Sequence, residues 1–399
     1  KVGSPSWTGQ YSLDGEDWST YTPSSTGAIT LANVGDSVYF RGNITNASYF
    51  NYLKFVMTGK IAASGNCNSI YNSNTFETLT VLTQSYCFRG LFAGCAALTT
   101  APELPALILS DDCYEEMFAG CTNLTQMPDL PATIASPRCY CAMFINCTAL
   151  TQITELPATT LGGACYSQMF YNCTSLTTAP ELPATILANS CYELMFYGCT
   201  SLTSAPELPA ISLMNSCYYQ MFYQCTSLIS APELPATTLA RYCYYNMFSD
   251  CENLKSLPNN LLPATTLKTS CYESMFFGCS HLQDLPENLL PAKELVDGCY
   301  NTMFAYCRAL PITKCGGSLV FTVPNDSPIG TSSMFNSTLY IGETQMIEGE
   351  SYYCHYNDYF CITDIPNDGK ETTISFKTEG EPIVGLQVAN EISDFEPAK

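Results

Sequence analysis

The sequence predicts an α/β solenoid, a right-handed coil with short parallel strands, flanked by a small β-rich domain at each end. Two observations predict it. The segment C-Y-x-x-M-F-x-x-C recurs in nine copies, the first in the variant form C-F-R-G-L-F, with first cysteines at Cys87, Cys113, Cys139, Cys165, Cys191, Cys217, Cys243, Cys271 and Cys299. Successive copies are 26 residues apart six times and then 28 residues apart twice. A unit this short cannot close a core of its own, so copies must stack and bury each apolar position against its neighbour.

Composition agrees with a folded chain of unusual surface. Of 399 residues, 46% are apolar, enough for a large core, while only 13% are charged. The exterior is therefore mostly Thr, Ser, Asn and Tyr. A net charge of -21, with 15 scattered Lys and Arg, repels phosphate backbones and anionic lipid and argues against nucleic acid as a partner. No apolar run reaches the roughly 18 residues of a membrane-spanning helix. The stretch after Lys1 lacks the basic, apolar and small-residue order of a secretion leader, which leaves location open.

An open stack needs capping at both ends, and residues 1–65 read as a β-rich cap domain. Tyr11 to Trp18 places an Asp14-Gly15 turn between alternating residues, and Ser37 to Arg41 and Lys54 to Met57 read as strands. A degenerate first copy fills residues 66–86 around Cys67 and Ile70. The repeat region spans 66–314. In each copy C-Y-x-x-M-F-x-x-C is expected to supply one helical or 3₁₀ turn with its Cys and Phe inward. The following x-x-L-T-x-A is expected to supply a short parallel strand that ends at the next Pro. Both longer steps carry the same change, P-x-L-P-A becoming P-x-N-L-L-P-A at Pro258 to Ala264 and Pro286 to Ala292, so the insertion lies in one loop. Beyond Leu310 the register fails, with Met334-Phe335 as the trace of a last copy. Residues 315–399 form a C-terminal β-rich domain through Leu319 to Val323, Ser337 to Ile341 and Thr372 to Phe376.

Strand, loop and short helix per coil is leucine-rich-repeat architecture. The run M-F-x-G-C-T-S-L-T at Met195 to Thr203 resembles the A-F-x-G-C-x-x-L signature of BspA-like (Treponema pallidum-type) leucine-rich repeats, with Met in place of Ala. The resemblance covers Cys87 to Leu310. It departs from the family in the longer repeat, the proline-rich connection, and Cys in place of Ile five positions before Phe. It implies a bacterial cell-surface or secreted protein that binds host proteins, matrix or other cells.

Of twenty-three cysteines, eighteen form two columns, one per Cys of the motif. If the motif is helical, its two cysteines stand roughly 12 Å apart, beyond bridging reach. Copies in neighbouring coils are about 5 Å apart but point the same way, so the columns read as buried thiols that fill space. Cys354 and Cys361 differ: a hairpin at Asn357-Asp358 would make them a cross-strand pair able to form a disulfide. With His355 and Asp358 they lack zinc-ligand spacing, so no metal or other cofactor is expected.

Two rows are candidates for binding. The first is acidic: Glu103, Asp129, Glu155, Glu181, Glu207, Glu233 and Glu287, interrupted by Asn259. Unit charges about 5 Å apart repel by roughly 0.8 kcal/mol per neighbour in water, so the row is either a solvated edge or a docking site for a basic protein or Ca²⁺. The second is aromatic: Tyr114, Tyr140, Tyr166, Tyr192, Tyr218, Tyr244, Tyr272 and Tyr300, widened by Tyr219 and Tyr245 and by Tyr171, Tyr197 and Tyr223. It reads either as a contact surface for protein or glycan or as a stacked structural column. The pairs Glu115/Glu116, Ser167/Gln168, Tyr219/Gln220 and Asn301/Thr302 read as solvent-facing positions free to diverge. The only histidines, His281 and His355, lack a nucleophile at catalytic spacing, so a binder is expected and an enzyme is not. The expected function is an interaction scaffold or adhesin, with glycan capture by the tyrosine row as the alternative.

Overall fold

The computed structural model describes residues 6–21, 27–283, 285–286, 289–292, 296–307 and 309, and the strands at 319–322, 352–354, 371–374 and 395–397. The N-terminal sheet holds β1 (Ser6–Ser12), β2 (Ser19–Tyr21) and β3 (Tyr39–Thr45), antiparallel in the order β2-β1-β3. The Asp14-Gly15 turn joins β1 to β2 as expected. Asp14 accepts N–H bonds from Glu16 and Asp17, both at 2.9 Å. The bond from Asp17, the Ser12 hydroxyl and the bond from Glu16 hold its carboxyl well below the usual range.

Gly9 and Gly42 pair across β1 and β3 because the Trp7 indole lies where a Cβ on either would stand. That ring donates to the carbonyl of Ile70 at 3.1 Å and fastens the sheet to the repeats. Lys54 to Met57, expected as a strand, is not one, and its Phe55 ring meets Phe40 of β3 at 5.1 Å while also reaching the repeats. The Phe55 N–H bonds to the Leu91 carbonyl at 2.7 Å, and its ring stacks on Phe92 at 5.4 Å. Further along, β4 (Ile61–Ala62) pairs in parallel with β5 (Leu98–Thr100), and a 3₁₀ turn, Cys67–Ile70, follows. Ring stacking and hydrogen bonding to the first full copy thus begin ahead of residue 66.

The C-Y-x-x-M-F-x-x-C segment is not helical, and the described residues hold no α-helix. It is a staircase of tight turns. In the second copy, the N–H groups of Glu115, Met117, Ala119 and Cys121 bond to carbonyls three residues back at 3.0–3.2 Å. Those of Tyr114, Glu116, Phe118 and Gly120 bond instead to Cys139, Cys141, Met143 and Ile145 in the next copy at 2.7–2.9 Å. Alternate donors therefore serve the turn and the stack. The reason lies in the backbone: Asp112, Glu116 and Gly120 have φ of 57°, 55° and 70°, and the same three positions are left-handed in all nine copies. A right-handed helix has no place for such residues.

Short parallel contacts complete each copy. One series lies in the expected x-x-L-T-x-A stretch, as in Gln126 with Gln152, Thr178 with Ser204 and Ser230 with Ser256. A second series, unforeseen in the sequence, follows the P-A pair: β6 (Ile134–Ala135) with β7 (Thr160–Leu161), Thr160 with Ile186 and Ser212 with Thr238. Proline interrupts the ladder between them because it has no N–H to give.

The core is periodic. Phe92, Phe118, Phe144, Phe170, Phe196, Phe222, Phe248, Phe276 and Phe304 form an unbroken column with neighbouring centroids 5.4–5.8 Å apart. Met and Leu columns line it, fully buried from Met117 to Met303 and from Leu124 to Leu282. In the first 28-residue step the insertion adds the buried Leu261, with Asn260 left-handed at φ 55°.

At the C-terminal end β8 (Leu319–Thr322) pairs with β10 (Glu371–Ile374), and β9 (Tyr352–Cys354) with β11 (Phe395–Pro397), both antiparallel. These cover two of the three expected strands. Ser337 to Ile341, Met334-Phe335 and Cys361 lie outside the described residues.

Candidate interaction surfaces

The connection after the second cysteine is an extended stretch whose burial alternates. In the fifth copy Glu207, Pro209 and Ile211 are exposed, while Leu208 and Ala210 between them are buried. An extended chain turns alternate residues to opposite sides, so the carboxylate, the proline and the residue after Ala share one outward face. Six carboxylates, Glu103, Asp129, Glu155, Glu181, Glu207 and Glu233, stand exposed on that face in consecutive copies. Glu287 lies outside the described residues. Exposed aliphatic side chains follow the carboxylates where the second parallel series runs.

The first tyrosine row lies elsewhere. Tyr114, Tyr140, Tyr166, Tyr192, Tyr218, Tyr244, Tyr272 and Tyr300 are each only 1% exposed, so the expectation that they contact a partner is corrected. Their rings stack on one another with centroids 5.4–5.9 Å apart, and Phe88 and Tyr71 extend the column toward the N-terminal sheet. The cause is the motif's two-in, two-out order, which sends Cys and Tyr inward together. Burial pushes their hydroxyls well above the ordinary value.

The outer tyrosines form separate ladders on the turn staircase. Tyr171, Tyr197 and Tyr223 stack with centroids 4.4 and 4.8 Å apart, and Tyr219 stacks on Tyr245 at 4.8 Å. Their faces cover one another, which leaves all five half-buried. Tyr223 hydrogen-bonds Asp250; burial and that neighbouring charge push its hydroxyl up to about 12, while burial raises the Asp250 carboxyl.

The pairs expected to face solvent freely are partly buried and matched between copies. Glu115 is 2% exposed and Ser167 5%. Glu115 accepts from Arg89 at 2.6 Å and from Arg138, which also holds Asp112 at 2.8 Å. Arg89 reaches Glu116 at 3.1 Å and lies over the Tyr49 and Tyr52 rings. Further along, Asn301 donates to Glu273 and Ser274 meets Thr302. Each match joins residues one copy apart, a signal visible by reading one repeat position down the column.

The eighteen described cysteines from Cys67 to Cys279 are buried and unbridged, and Cys299 and Cys307 are buried as well. The second column has a further use: Cys121, Cys147, Cys173 and Cys199 each donate to the carbonyl of the Phe in the copy before, at 3.1–3.2 Å. Burial pushes the thiols of Cys147, Cys191 and Cys199 up to about 12. His281 contacts Ser280 and the Glu252 carbonyl, at 3.3 and 2.7 Å.

Among the described residues no group of His, Cys, Asp and Glu has metal-holding geometry, and no helix is long and apolar enough to cross a membrane. No protein-family model, curated protein or solved structure matches the chain.

Proposed function

We propose that the chain is a cell-surface or secreted interaction scaffold, an adhesin that binds proteins of a host or a neighbouring cell through the surface of its repeats. In this reading the stacked copies form a leucine-rich-repeat solenoid of the BspA-like kind. One observation carries it: six exposed carboxylates stand at the same position of six consecutive copies. Like charges about 5 Å apart oppose one another, and stacking alone gives no reason to repeat them. A partner bearing positive charge supplies the reason, because it relieves that repulsion on docking.

The test is binding of the purified chain to a panel of immobilised extracellular-matrix and cell-surface proteins, followed by biolayer interferometry at low and high salt. At least one of them is expected to bind, more weakly as salt rises. A Glu155→Gln, Glu181→Gln, Glu207→Gln variant is expected to bind it about tenfold more weakly. A chain that binds nothing on the panel, or a variant that binds as the parent does, overturns this reading.

A further inference from the structure

An apolar strip follows the acidic row four to five residues further along the same stretch of chain. Leu107, Ile108, Ile134, Ile186 and Ile211 are 49–79% exposed, and they sit within or beside the second parallel series. Isolated exposed aliphatics need no explanation, but these recur at one or two adjacent positions in four of five consecutive copies. Their segments, 103–109, 129–135, 155–161, 181–187, 207–213 and 233–239, contain no Lys or Arg. Within these segments every exposed charge is therefore negative.

The geometry points to this face as a docking surface for a basic polypeptide in extended conformation, whose aliphatic side chains lie on the isoleucines and whose Lys or Arg reach the carboxylates. The spacing follows from the sequence. Ile211 stands four residues after Glu207, while Ile108, Ile134 and Ile186 stand five residues after Glu103, Asp129 and Glu181, which separates each pair by about 13–17 Å at 3.3 Å per residue of extended chain. A partner strand laid along a copy meets both when its basic residue is four or five positions from its aliphatic one. Charge complementarity selects the partner and sets its approach, while the strip supplies area that charge alone does not hold. This inference rests on the interaction-scaffold reading and names the partner's chemistry.

The probe is an amidated peptide of two lysines, two threonines and two isoleucines, repeated once, titrated into the full chain by calorimetry. A second peptide replaces its isoleucines with threonine. The first is expected to bind about tenfold more tightly than the second, and both to weaken with salt. An Ile134→Ser, Ile186→Ser, Ile211→Ser variant is expected to bind the two peptides equally, at the level of the weaker one. Its substitutions are at exposed positions, and an unchanged melting temperature confirms that it is folded. Equal binding of the two peptides by the parent chain, or an unchanged preference in the serine variant, overturns the inference.

Sedimentation of the parent chain alone checks a rival occupant. A dimer that the serine variant loses assigns the strip to a second copy of the chain and also overturns the inference. The scaffold reading is judged separately: a parent and a serine variant that bind the protein panel equally leave that reading standing and remove this one. A chain that selects the isoleucine peptide yet binds nothing on the panel does the reverse.

Discussion

What a single residue contributes depends on what stands one copy away. Glu115 is nearly fully buried and held between Arg89 and Arg138, so its charge is compensated only by neighbours in other copies. Without Glu115, Arg89 keeps only Glu116 and Arg138 only Asp112, so Glu115→Ala loses charge-assisted hydrogen bonds without stranding either cation and is expected to cost about 2 kcal/mol in urea unfolding. Backbone strain is the second residue-scale effect. Leu194 is left-handed at φ 56°, where a side chain costs about 1–2 kcal/mol that glycine avoids. Glycine's greater freedom in the unfolded chain offsets part of that gain. Leu194→Gly is therefore expected to raise stability by about 0.5–1 kcal/mol, measured as a higher urea midpoint at unchanged slope. At Gly198, with φ 69°, a Cβ would stand 2.2 Å from the Asn172 side chain, so the glycine there also keeps contact room.

The turn staircase is the element that sets every other position. Its donors alternate between the turn and the next copy, which aligns copies and brings like residues into columns. The Phe column then behaves as one continuous packing. Phe170 stacks between Phe144 at 5.8 Å and Phe196 at 5.6 Å and is fully buried. Phe170→Ala leaves a void bounded by two ring faces and is expected to cost about 3–5 kcal/mol. Amide hydrogen exchange checks its locality: protection should fall most in the copies around 144–196 and least at the distant end. A uniform loss would mean that the copies unfold as one unit.

Across the molecule the buried thiols make stability depend on alkaline pH. An unfolded thiol loses its proton near pH 9, whereas Cys147, Cys191 and Cys199 hold theirs to about 12. A raised folded value gives stability that is complete below pH 9 and lost as pH climbs from 9 toward 12. Each such thiol removes about 1.4 kcal/mol per pH unit in that window. The chain is expected to unfold cooperatively above pH 9, followed by circular dichroism. At pH 8 its described cysteines should react with a thiol reagent only after denaturation. Rapid labelling of the native chain would show that the columns are open to solvent.

The sequence by itself determined the repeat, its period, the inward Cys, Phe and Leu positions and the outward acidic row. All of these follow from spacing, because a short unit stacked on itself must present each position as a column. It did not determine the local conformation of the motif. Two-in, two-out spacing suits a helical turn and a staircase of tight turns alike, and only the left-handed residues such as Asp112 and Glu116 separate them. Nor did it decide whether the tyrosine beside each cysteine faces solvent. That depends on which way the turn rotates the side chain, and here the rotation buries Tyr166 and leaves Tyr171 at the surface. Pairings such as Arg89 with Glu115 exist only between copies, so tertiary stacking creates them. Spacing fixes which residues meet their own copies; the backbone's choice between helix and left-handed turn fixes which of them meet water.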